Sequence, residues 1–276
     1  MAKKPSVKEF RDKIWEYHSK NRRDLPWRRT QDPYKILVSE IMLQQTQVKR
    51  VLLKYKSFLK RFPTLKSLAE APLRDVLIEW QGLGYNRRGS NLKKTAEVIR
   101  KEFNGKFPKT LEELIKLPGI GQSTAGALLN FCFNTPTVFI ETNIRSVFLY
   151  FFFKDSSDVS DTLIREKVEY TLVHTNSREW YYALYDYGTL LKLSKDRATR
   201  IIHRVSKHYK KQSRFQGSNR ETRSQILKCI LASKSALSIE KICEKTGCVK
   251  QVILKNLISM EKEGLITNTP KGWKAA

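Results

Sequence analysis

The feature that most constrains this chain is a glycine-rich turn between two helical segments, residues 117–126, with the sequence LPGIGQSTAG. Thr110 and Glu113 have the spacing of a capping box for a helix that ends near Leu117, and helical patterning resumes over residues 122–133. The glycines permit a tight turn whose backbone N–H groups point outward, and the second helix adds the positive end of its dipole. A phosphate oxygen fits such a turn, which therefore predicts contact with a DNA backbone independent of base sequence. The residues expected to make this contact are Gly119, Gly121, Gln122 and Thr124.

The charge of the chain also indicates a nucleic-acid partner. Among 276 residues, Lys and Arg number 53 and Asp and Glu number 27, so the formal net charge is +26. An excess of this size attracts a polyanion, and nucleic acid is the commonest one. A basic protein from an organism with a basic proteome is the alternative interpretation. Because the charge is spread along the whole chain, we favour double-stranded DNA as the partner.

The sequence indicates a protein of the cell interior. Its longest apolar run, residues 147–153, is far shorter than the ~20 residues of a membrane-spanning helix. The N-terminal sequence MAKKP lacks the apolar stretch of a signal peptide. Four irregularly spaced cysteines predict neither a disulfide framework nor a tetrahedral metal site. We therefore expect an intracellular, cytoplasmic and nucleoid-associated monomer without membrane contact or bound metal.

Helical spacing of apolar residues dominates residues 1–208, where strand signals are weak. One helix start is marked by Asp32 and Pro33, because Asp is a favoured cap and Pro is favoured in the first turn. We therefore expect an all-α fold for this part of the chain.

A second, smaller domain is predicted at the C-terminal end. Residues 209–220 read YKKQSRFQGSNR and predict a basic linker. Short helical patterns follow near 221–233, 238–246 and 249–263, and residues 265–273 predict a hairpin. Three helices and a hairpin predict a winged-helix-like domain over residues 221–276, a module that often binds DNA. A small packing domain without DNA contact is the alternative.

Several motifs occur in the order found in one known family. They are LPWR at 25–28, DPY at 32–34, VSEIMLQQTQV at 38–48, GLGY at 82–85, NL at 91–92, GKFP at 105–108 and LPGIGQSTAGA at 117–127. Over residues 8–190 the chain thereby resembles the MutY-type A/G-specific adenine DNA glycosylases of the endonuclease III superfamily. The resemblance implies a two-lobed helix-hairpin-helix core, in which a cleft receives a base that has been rotated out of the duplex.

The resemblance implies that Glu40 is the catalytic acid. Breaking the N-glycosidic bond creates an oxocarbenium-like sugar and a poor anionic leaving group, so an acid must protonate the base. A carboxylic acid does this near neutral pH only when burial raises its pKa. The apolar stretch around Glu40 predicts such burial, and an exposed surface glutamate is the alternative.

The second carboxylate departs from the family pattern. The family has an Asp after residues 138–140, whereas this chain has Glu141, followed by Asn143 in the place of a residue that supports the acid or the attacking water. Glu141 keeps the charge that stabilises the cationic sugar, but its extra methylene moves the carboxylate by about 1.5 Å. A shift on that scale can cost on the order of a hundredfold in rate. Either the backbone compensates, or the substrate differs, or the activity is low.

Ser123 bears on whether the DNA strand is cleaved. Strand-cleaving relatives, which resemble endonuclease III, carry a Lys at this position that attacks the sugar as a Schiff-base nucleophile. A serine hydroxyl cannot form that imine. The resemblance therefore implies a monofunctional glycosylase that leaves an abasic site, unless another lysine substitutes.

Three residues match family members that enter the duplex beside the flipped nucleotide, namely Gln44, Gln45 and Tyr85. Filling the vacated stack would offset part of the cost of unstacking the base. Ordinary helix capping and packing is the alternative for these three. The candidates for phosphate contact are Arg28 and Arg88, together with Arg29, Lys49 and Arg87.

Two features of many relatives are missing. Those relatives bind an iron–sulfur cluster through four cysteines just after the last core helix, whereas residues 190–200 contain no cysteine. MutY also carries a C-terminal Nudix-like domain that reads the opposing 8-oxoguanine, and the sequence shows no such domain. We therefore expect no cofactor.

The leading hypothesis is a monofunctional DNA glycosylase of base excision repair, a hydrolase that removes adenine opposite G or 8-oxoguanine. A glycosylase for T or U opposite G, or for a deaminated purine, is the alternative on the same scaffold. A non-catalytic binder of distorted DNA is the alternative from another class, because Glu141 replaces the family's Asp and a winged-helix-like tail follows the core.

Overall fold

A computed structural model describes residues 4–194 and 214–276. In these residues the chain forms fourteen α-helices, one 3₁₀ turn (Pro26–Arg28) and one hairpin, which confirms the predicted helical core with a small C-terminal hairpin. The helices are α1 (Val7–Asn21), α2 (Pro33–Leu43), α3 (Val48–Arg61), α4 (Leu65–Glu70), α5 (Leu73–Trp80), α6 (Arg87–Glu102), α7 (Leu111–Leu114), α8 (Gln122–Phe133), α9 (Thr142–Phe152), α10 (Asp161–Tyr170), α11 (Ser177–Leu193), α12 (Asn219–Ala232), α13 (Ile239–Thr246) and α14 (Lys250–Lys262). The strands are β1 (Ile266–Thr269) and β2 (Gly272–Ala275). Of the helices in this described part, none is long and apolar enough to cross a membrane.

The described residues cluster into two compact units. The first unit comprises residues 4–36, 109–116 and 120–194, and the second comprises 37–108, 117–119 and 214–276. The C-terminal helices thus cluster with an earlier stretch of chain. The predicted division into residues 1–208, a linker over 209–220 and a domain over 221–276 stays a prediction, because residues 195–213 lie outside the described residues.

Aromatic side chains fill the core of the first unit, where α11 packs against α1, α8 and α9. The ring of Phe10 on α1 lies 5.3 Å from that of Phe148 on α9 and 5.8 Å from that of Trp180 on α11, between ring centroids. All three side chains are fully buried. Large rings at helix crossings bury much apolar surface and favour such tilted or edge-on contacts, so these contacts hold α1 against α9 and α11.

A cluster of charged side chains lies inside the first unit. We call it the Asp186 ion cluster, and its members are His18, Arg23, Arg28, Glu179 and Asp186. Arg28 donates to both carboxylate oxygens of Asp186, each over 2.9 Å, while His18 Nδ1 lies 3.0 Å from Asp186 Oδ2. Burial raises the pKa of Asp186, but hydrogen bonds from His18 and Arg28 outweigh burial and hold that pKa well below its ordinary value.

The C-terminal helices of the second unit share their hydrophobic core with α5. Leu77 of α5 is fully buried in the same cluster as Ile230 of α12 and Leu257 of α14. Arg74 of α5 also donates to the carbonyl of Leu231 over 2.7 Å. Burying apolar surface on both sides of this contact fixes α12 relative to the loop that follows α5.

The C-terminal residues form the predicted winged-helix-like arrangement of three helices and a hairpin. Strands β1 and β2 pair antiparallel, with Asn268 opposite Trp273. Leu237, in the connection before α13, forms a further bridge with Trp273 through two backbone hydrogen bonds of 2.8 Å. Helix α12 begins at Asn219, two residues before the predicted domain boundary.

Candidate active site

Glu40 lies in the C-terminal half of α2. The helix begins where Asp32 and Pro33 predict it, because Asp32 Oδ1 accepts from the backbone N–H of Tyr34 over 2.9 Å. The neighbours of Glu40 on both sides, Ser39 and Ile41, are buried, and Glu40 itself is half-buried. The expected burial is therefore partial, and the role of Glu40 as the acid stays a prediction.

Glu141 caps the N-terminus of α9 with its own side chain. Its Oε1 accepts from the backbone N–H groups of Asn143 over 2.6 Å and Ile144 over 3.0 Å. Its Oε2 accepts from Asn143 Nδ2 over 3.3 Å. The carboxylate thus folds back onto the helix end, where N–H donors and the helix dipole stabilise negative charge.

A lysine on α11 opposes the charge of Glu141. Burial raises the pKa of Glu141, while the positive charge of Lys192 and the backbone hydrogen bonds from Ile144 and Asn143 lower it. Lys192 is exposed to solvent. Partial desolvation lowers its pKa, Glu141 raises it, and Arg23 lowers it. The effect of burial is the larger, so the pKa of Glu141 lies above its ordinary value, and Lys192 opposes that rise.

Lys192 is not among the residues predicted from the sequence. Its spacing of four residues from Gly188 on the same helix does offer a signal. Gly188 lies one turn earlier on α11 and contacts the α9 N-terminus: a Cβ added there would meet Asn143 Cβ at 2.6 Å and its carbonyl oxygen at 2.7 Å. Residues four apart share a helix face. A glycine inside a helix costs roughly 0.5–1 kcal/mol relative to alanine, so a close approach of two helices at Gly188 accounts for its presence.

Ser123 lies beside the segment that leads to Glu141. Its hydroxyl donates to the carbonyl oxygen of Ile140 over 2.9 Å, and Ile140 directly precedes Glu141 in the chain. The side chain therefore helps to hold this segment against α8. A hydroxyl in this position cannot form the imine that a lysine would form.

The glycine-rich turn has the local conformation that the sequence predicts. Gly119 has φ +77°, and a Cβ there would lie 2.7 Å from Asn91 Nδ2, so both backbone and packing require glycine. Thr95 donates to the carbonyl of Pro118 over 2.8 Å and so ties down the turn. Gly121 and Gln122 are exposed at the N-terminus of α8, while Thr124 is half-buried. Exposed N–H groups at this helix end can donate hydrogen bonds to a phosphate oxygen.

Two loops of the second unit carry the residues predicted to enter DNA. Gln44 and Gln45 follow α2, and Tyr85 follows α5. Gln45 has φ +53° and Tyr85 has φ +48°. This left-handed conformation is uncommon for non-glycine residues and needs surrounding structure to maintain it.

Arg88 supplies that surrounding structure. Its guanidinium donates to Ile41 O over 2.8 Å and to Gly84 O over 3.1 Å, so it joins the two loops. Its other acceptors are the carbonyl oxygens of Met42, Gln44 and Leu83 and the hydroxyl of Thr46. Burial lowers the pKa of Arg88 to about 10. In place of the predicted phosphate contact, Arg88 thus organises the loops that present Gln44, Gln45 and Tyr85.

Arg28 also has a different position from the one predicted. Only 5% of it is exposed, and its guanidinium binds Asp186 within the ion cluster, so a phosphate cannot reach it without unfolding its surroundings. The other candidates for phosphate contact, Arg29, Lys49 and Arg87, are exposed. Arg29 is paired with the exposed Asp24, an ion pair that adds little stability in water.

Each of the four cysteines packs among other side chains, and the expected absence of an iron–sulfur cluster stays a prediction. Cys132 is buried in α8 of the first unit, whereas Cys229, Cys243 and Cys248 pack against the C-terminal hydrophobic core of the second. These thiols behave as small apolar side chains. Across the described residues, no group of three or more His, Cys, Asp or Glu side chains is placed to hold a metal ion.

The chain is similar both to a protein superfamily and to individual proteins of known activity. Residues 38–171 match the HhH-GPD superfamily of base excision DNA repair proteins. The chain is 37% identical over 256 residues to an adenine DNA glycosylase of Buchnera aphidicola subsp. Baizongia pistaciae (strain Bp), a match that covers 87% of this chain and 72% of that relative. It is 39% identical over 150 residues to the adenine DNA glycosylase of Homo sapiens, covering 51% of this chain and 28% of that longer relative.

A solved structure resembles the chain in fold. It is that of a thermostable thymine-DNA glycosylase, with a TM-score of 0.63 and 22% identity, and the match covers 72% of this chain and 94% of that one. At this identity the likeness concerns the fold alone. It agrees with the helical core predicted from the motifs.

Proposed function

Because the chain belongs to the adenine DNA glycosylase family within the HhH-GPD superfamily, we propose that it removes a mispaired base from duplex DNA, with adenine opposite G or 8-oxoguanine as the favoured substrate. The net charge of +26 supports DNA as the partner. The observation that carries the proposal is the carboxylate of Glu141. The N-terminus of α9 holds it through three hydrogen bonds, at the place where the family has a carboxylate.

In the proposed reaction, hydrolysis proceeds through a cationic sugar. Glu40 donates its proton to the adenine as the glycosidic bond breaks, and the bonding electrons leave with the base. The ionised carboxylate of Glu141 stabilises the positive charge that develops on the sugar. Water then adds to C1′ and gives a proton back to Glu40, so an abasic site remains and the acid is regenerated. Asn143 supports the stabilisation of the cationic sugar, because its side-chain N–H holds the carboxylate of Glu141.

The two loops joined by Arg88 carry the residues that would enter the duplex when the base is rotated out. Gln44, Gln45 and Tyr85 would occupy the space that the flipped nucleotide leaves in the stack. The rigid hold on both loops supports this role, because a residue that must displace a base works best when its backbone is already ordered.

We also propose that the protein removes the base without cleaving the DNA strand. Ser123 occupies the position of the lysine nucleophile of strand-cleaving relatives, and its hydroxyl is engaged with Ile140. The packing of the cysteines supports activity without an iron–sulfur cluster. Action as a monomer inside the cell stays a prediction.

The test is single-turnover base release from labelled duplexes with excess protein. The duplexes carry A opposite 8-oxoguanine, A opposite G, T opposite G, U opposite G, or hypoxanthine opposite T, and products are read with and without alkali. We expect release of adenine, with strand breaks only after alkali. Glu40→Gln should lower the rate about a hundred- to ten-thousand-fold, since it removes general acid catalysis. Glu102→Gln, an exposed change at the end of α6, is the matched control and should leave the rate unchanged.

Release of another base would keep the mechanism and replace the substrate. Strand breaks without alkali would contradict the argument from Ser123. If the unaltered protein and Glu40→Gln both released no base yet bound mispaired duplexes tightly, the protein would be a non-catalytic binder of distorted DNA.

A further inference from the structure

The winged-helix-like module contacts the aromatic residue that is predicted to enter DNA. Arg220, in the first turn of α12, donates from Nη1 to the hydroxyl of Tyr85 over 3.1 Å. Its guanidinium carbon also lies 5.8 Å from the centroid of the Tyr85 ring. Arg88 lies 5.5 Å from the same centroid. The ring of Tyr85 is thus held by two guanidinium groups that come from distant parts of the sequence.

Several contacts fix Arg220 in this position. The preceding turn is closed by a hydrogen bond of 2.6 Å from the backbone N–H of Gly217 to Glu221 Oε2. Helix α12 shares a hydrophobic core with Leu77 of α5, and the loop with Tyr85 follows α5 directly. Arg220 and Tyr85 therefore lie in the same compact unit, on elements that share one hydrophobic core.

The chemistry of this group suits an unstacked nucleotide. Tyr85 is 38% exposed. Exposed aromatic rings next to cationic groups form stacking platforms for bases in distorted or single-stranded DNA. A guanidinium contributes a planar set of donors that can bind a phosphate or stack on a base.

We propose that Arg220 braces Tyr85 and contacts the DNA backbone at the distorted step, so that the winged-helix-like module forms part of the lesion-recognition surface. This inference rests on the proposed function, in which Tyr85 enters the duplex. It assigns to the module a role next to the damaged base, in contrast to a purely structural role or to general contact with undamaged DNA.

The test measures binding to two duplexes of identical sequence by fluorescence anisotropy. One carries a tetrahydrofuran abasic analogue opposite G, and the other is undamaged. We expect Arg220→Ala to weaken binding to the abasic duplex about tenfold, the effect of losing one stacking or backbone contact, and binding to the undamaged duplex by about twofold or less. Lys228→Ala removes one exposed positive charge from the same helix and is the control, for which both affinities should change equally and slightly.

Coupling with Tyr85 distinguishes bracing from an independent contact. If Arg220 acts largely through Tyr85, the double variant Y85A/R220A should bind the abasic duplex little more weakly than Tyr85→Ala alone. Arg220→Lys keeps the charge but loses the planar fork, so it should recover only part of the discrimination between the duplexes. A 2-aminopurine placed beside the abasic position should gain less fluorescence on binding Arg220→Ala than on binding the unaltered protein. Equal melting temperatures of these variants show that the fold is intact.

Each of the following results would overturn the inference. Equal losses on both duplexes would make Arg220 a general phosphate contact, and full additivity with Tyr85→Ala would remove the bracing role. Tighter binding of the abasic duplex by Arg220→Ala would mean that the contact restrains Tyr85. If the unaltered protein itself did not discriminate between the duplexes, the proposed function would fail together with the inference, whereas discrimination retained in Arg220→Ala would refute the inference alone.

Discussion

Replacing Asp186 by Asn should destabilise the protein strongly, because it removes one partner from a buried ion cluster. The side chain of Asp186 is 1% exposed, and its two oxygens accept two hydrogen bonds of 2.9 Å from Arg28, whose side chain is 2% exposed. Asn has the same shape but no charge, and its amide nitrogen cannot accept a hydrogen bond. The guanidinium of Arg28 would then be buried opposite a donor, without a compensating carboxylate.

The size of the effect follows from this burial. Breaking a buried ion pair by removing one partner costs about 3–5 kcal/mol. At roughly 2–4 °C per kcal/mol for a chain of this size, the midpoint of thermal unfolding should fall by about 6 to 20 °C. The matched control is Asp161→Asn, which breaks the bidentate pair with Arg145 where the Asp161 side chain is 41% exposed. Exposed pairs contribute roughly 0–1 kcal/mol, so the control should unfold close to the unaltered protein.

Urea denaturation followed by circular dichroism and tryptophan fluorescence gives the free energy of unfolding for all three proteins. The two signals must report coincident transitions if a single free energy is to be compared. A loss within about 1 kcal/mol for Asp186→Asn, equal to that of Asp161→Asn, would refute the reasoning. It would mean that solvent or a rearranged side chain compensates Arg28 as well as the carboxylate does.

Two further predictions concern the carboxylate of Glu141. Gly188→Ala should place a methyl group 2.6 Å from Asn143 Cβ and cost about 1–3 kcal/mol of stability. Because the N-terminus of α9 would be displaced, the single-turnover rate of base release should fall on the order of a hundredfold. Lys192→Met should move the acidic limb of the pH–rate profile to higher pH. The reason is that the pKa of Glu141, already raised by burial, rises further without the opposing cation, and protonation then removes the negative charge at a higher pH. Lys192→Arg should retain the original limb.

Each of these two predictions has an outcome that contradicts it. A Gly188→Ala protein with unchanged rate would show that α9 and α11 separate without moving Glu141. An acidic limb at the same pH in Lys192→Met would mean that the limb reports another group. Direct titration of the Glu141 carboxyl by carbon-13 NMR in both proteins would measure the coupling whether or not base is released.

Local features of this protein were predictable from the sequence because they depend on residues a few positions apart. Asp32 and Pro33 predicted the start of α2, and the cap is present. Gly119 predicted a turn that only glycine adopts easily, and it has φ +77° with no room for a Cβ. The motif order over residues 8–190 likewise identified the family, since each motif is a contiguous run of chain.

The roles of the charged residues were decided by the tertiary structure. In the sequence, Arg28 and Arg88 look like phosphate-binding residues. The sequence does not show whether a guanidinium faces solvent or a buried acceptor. The fold brings Arg28 to Asp186, 158 positions away, and joins two loops around Arg88. Lys192 likewise gains its effect on Glu141 only when α11 packs on α9. Apolar periodicity determines which elements form, but electrostatic partners are chosen by contacts between distant segments, which a linear pattern does not contain.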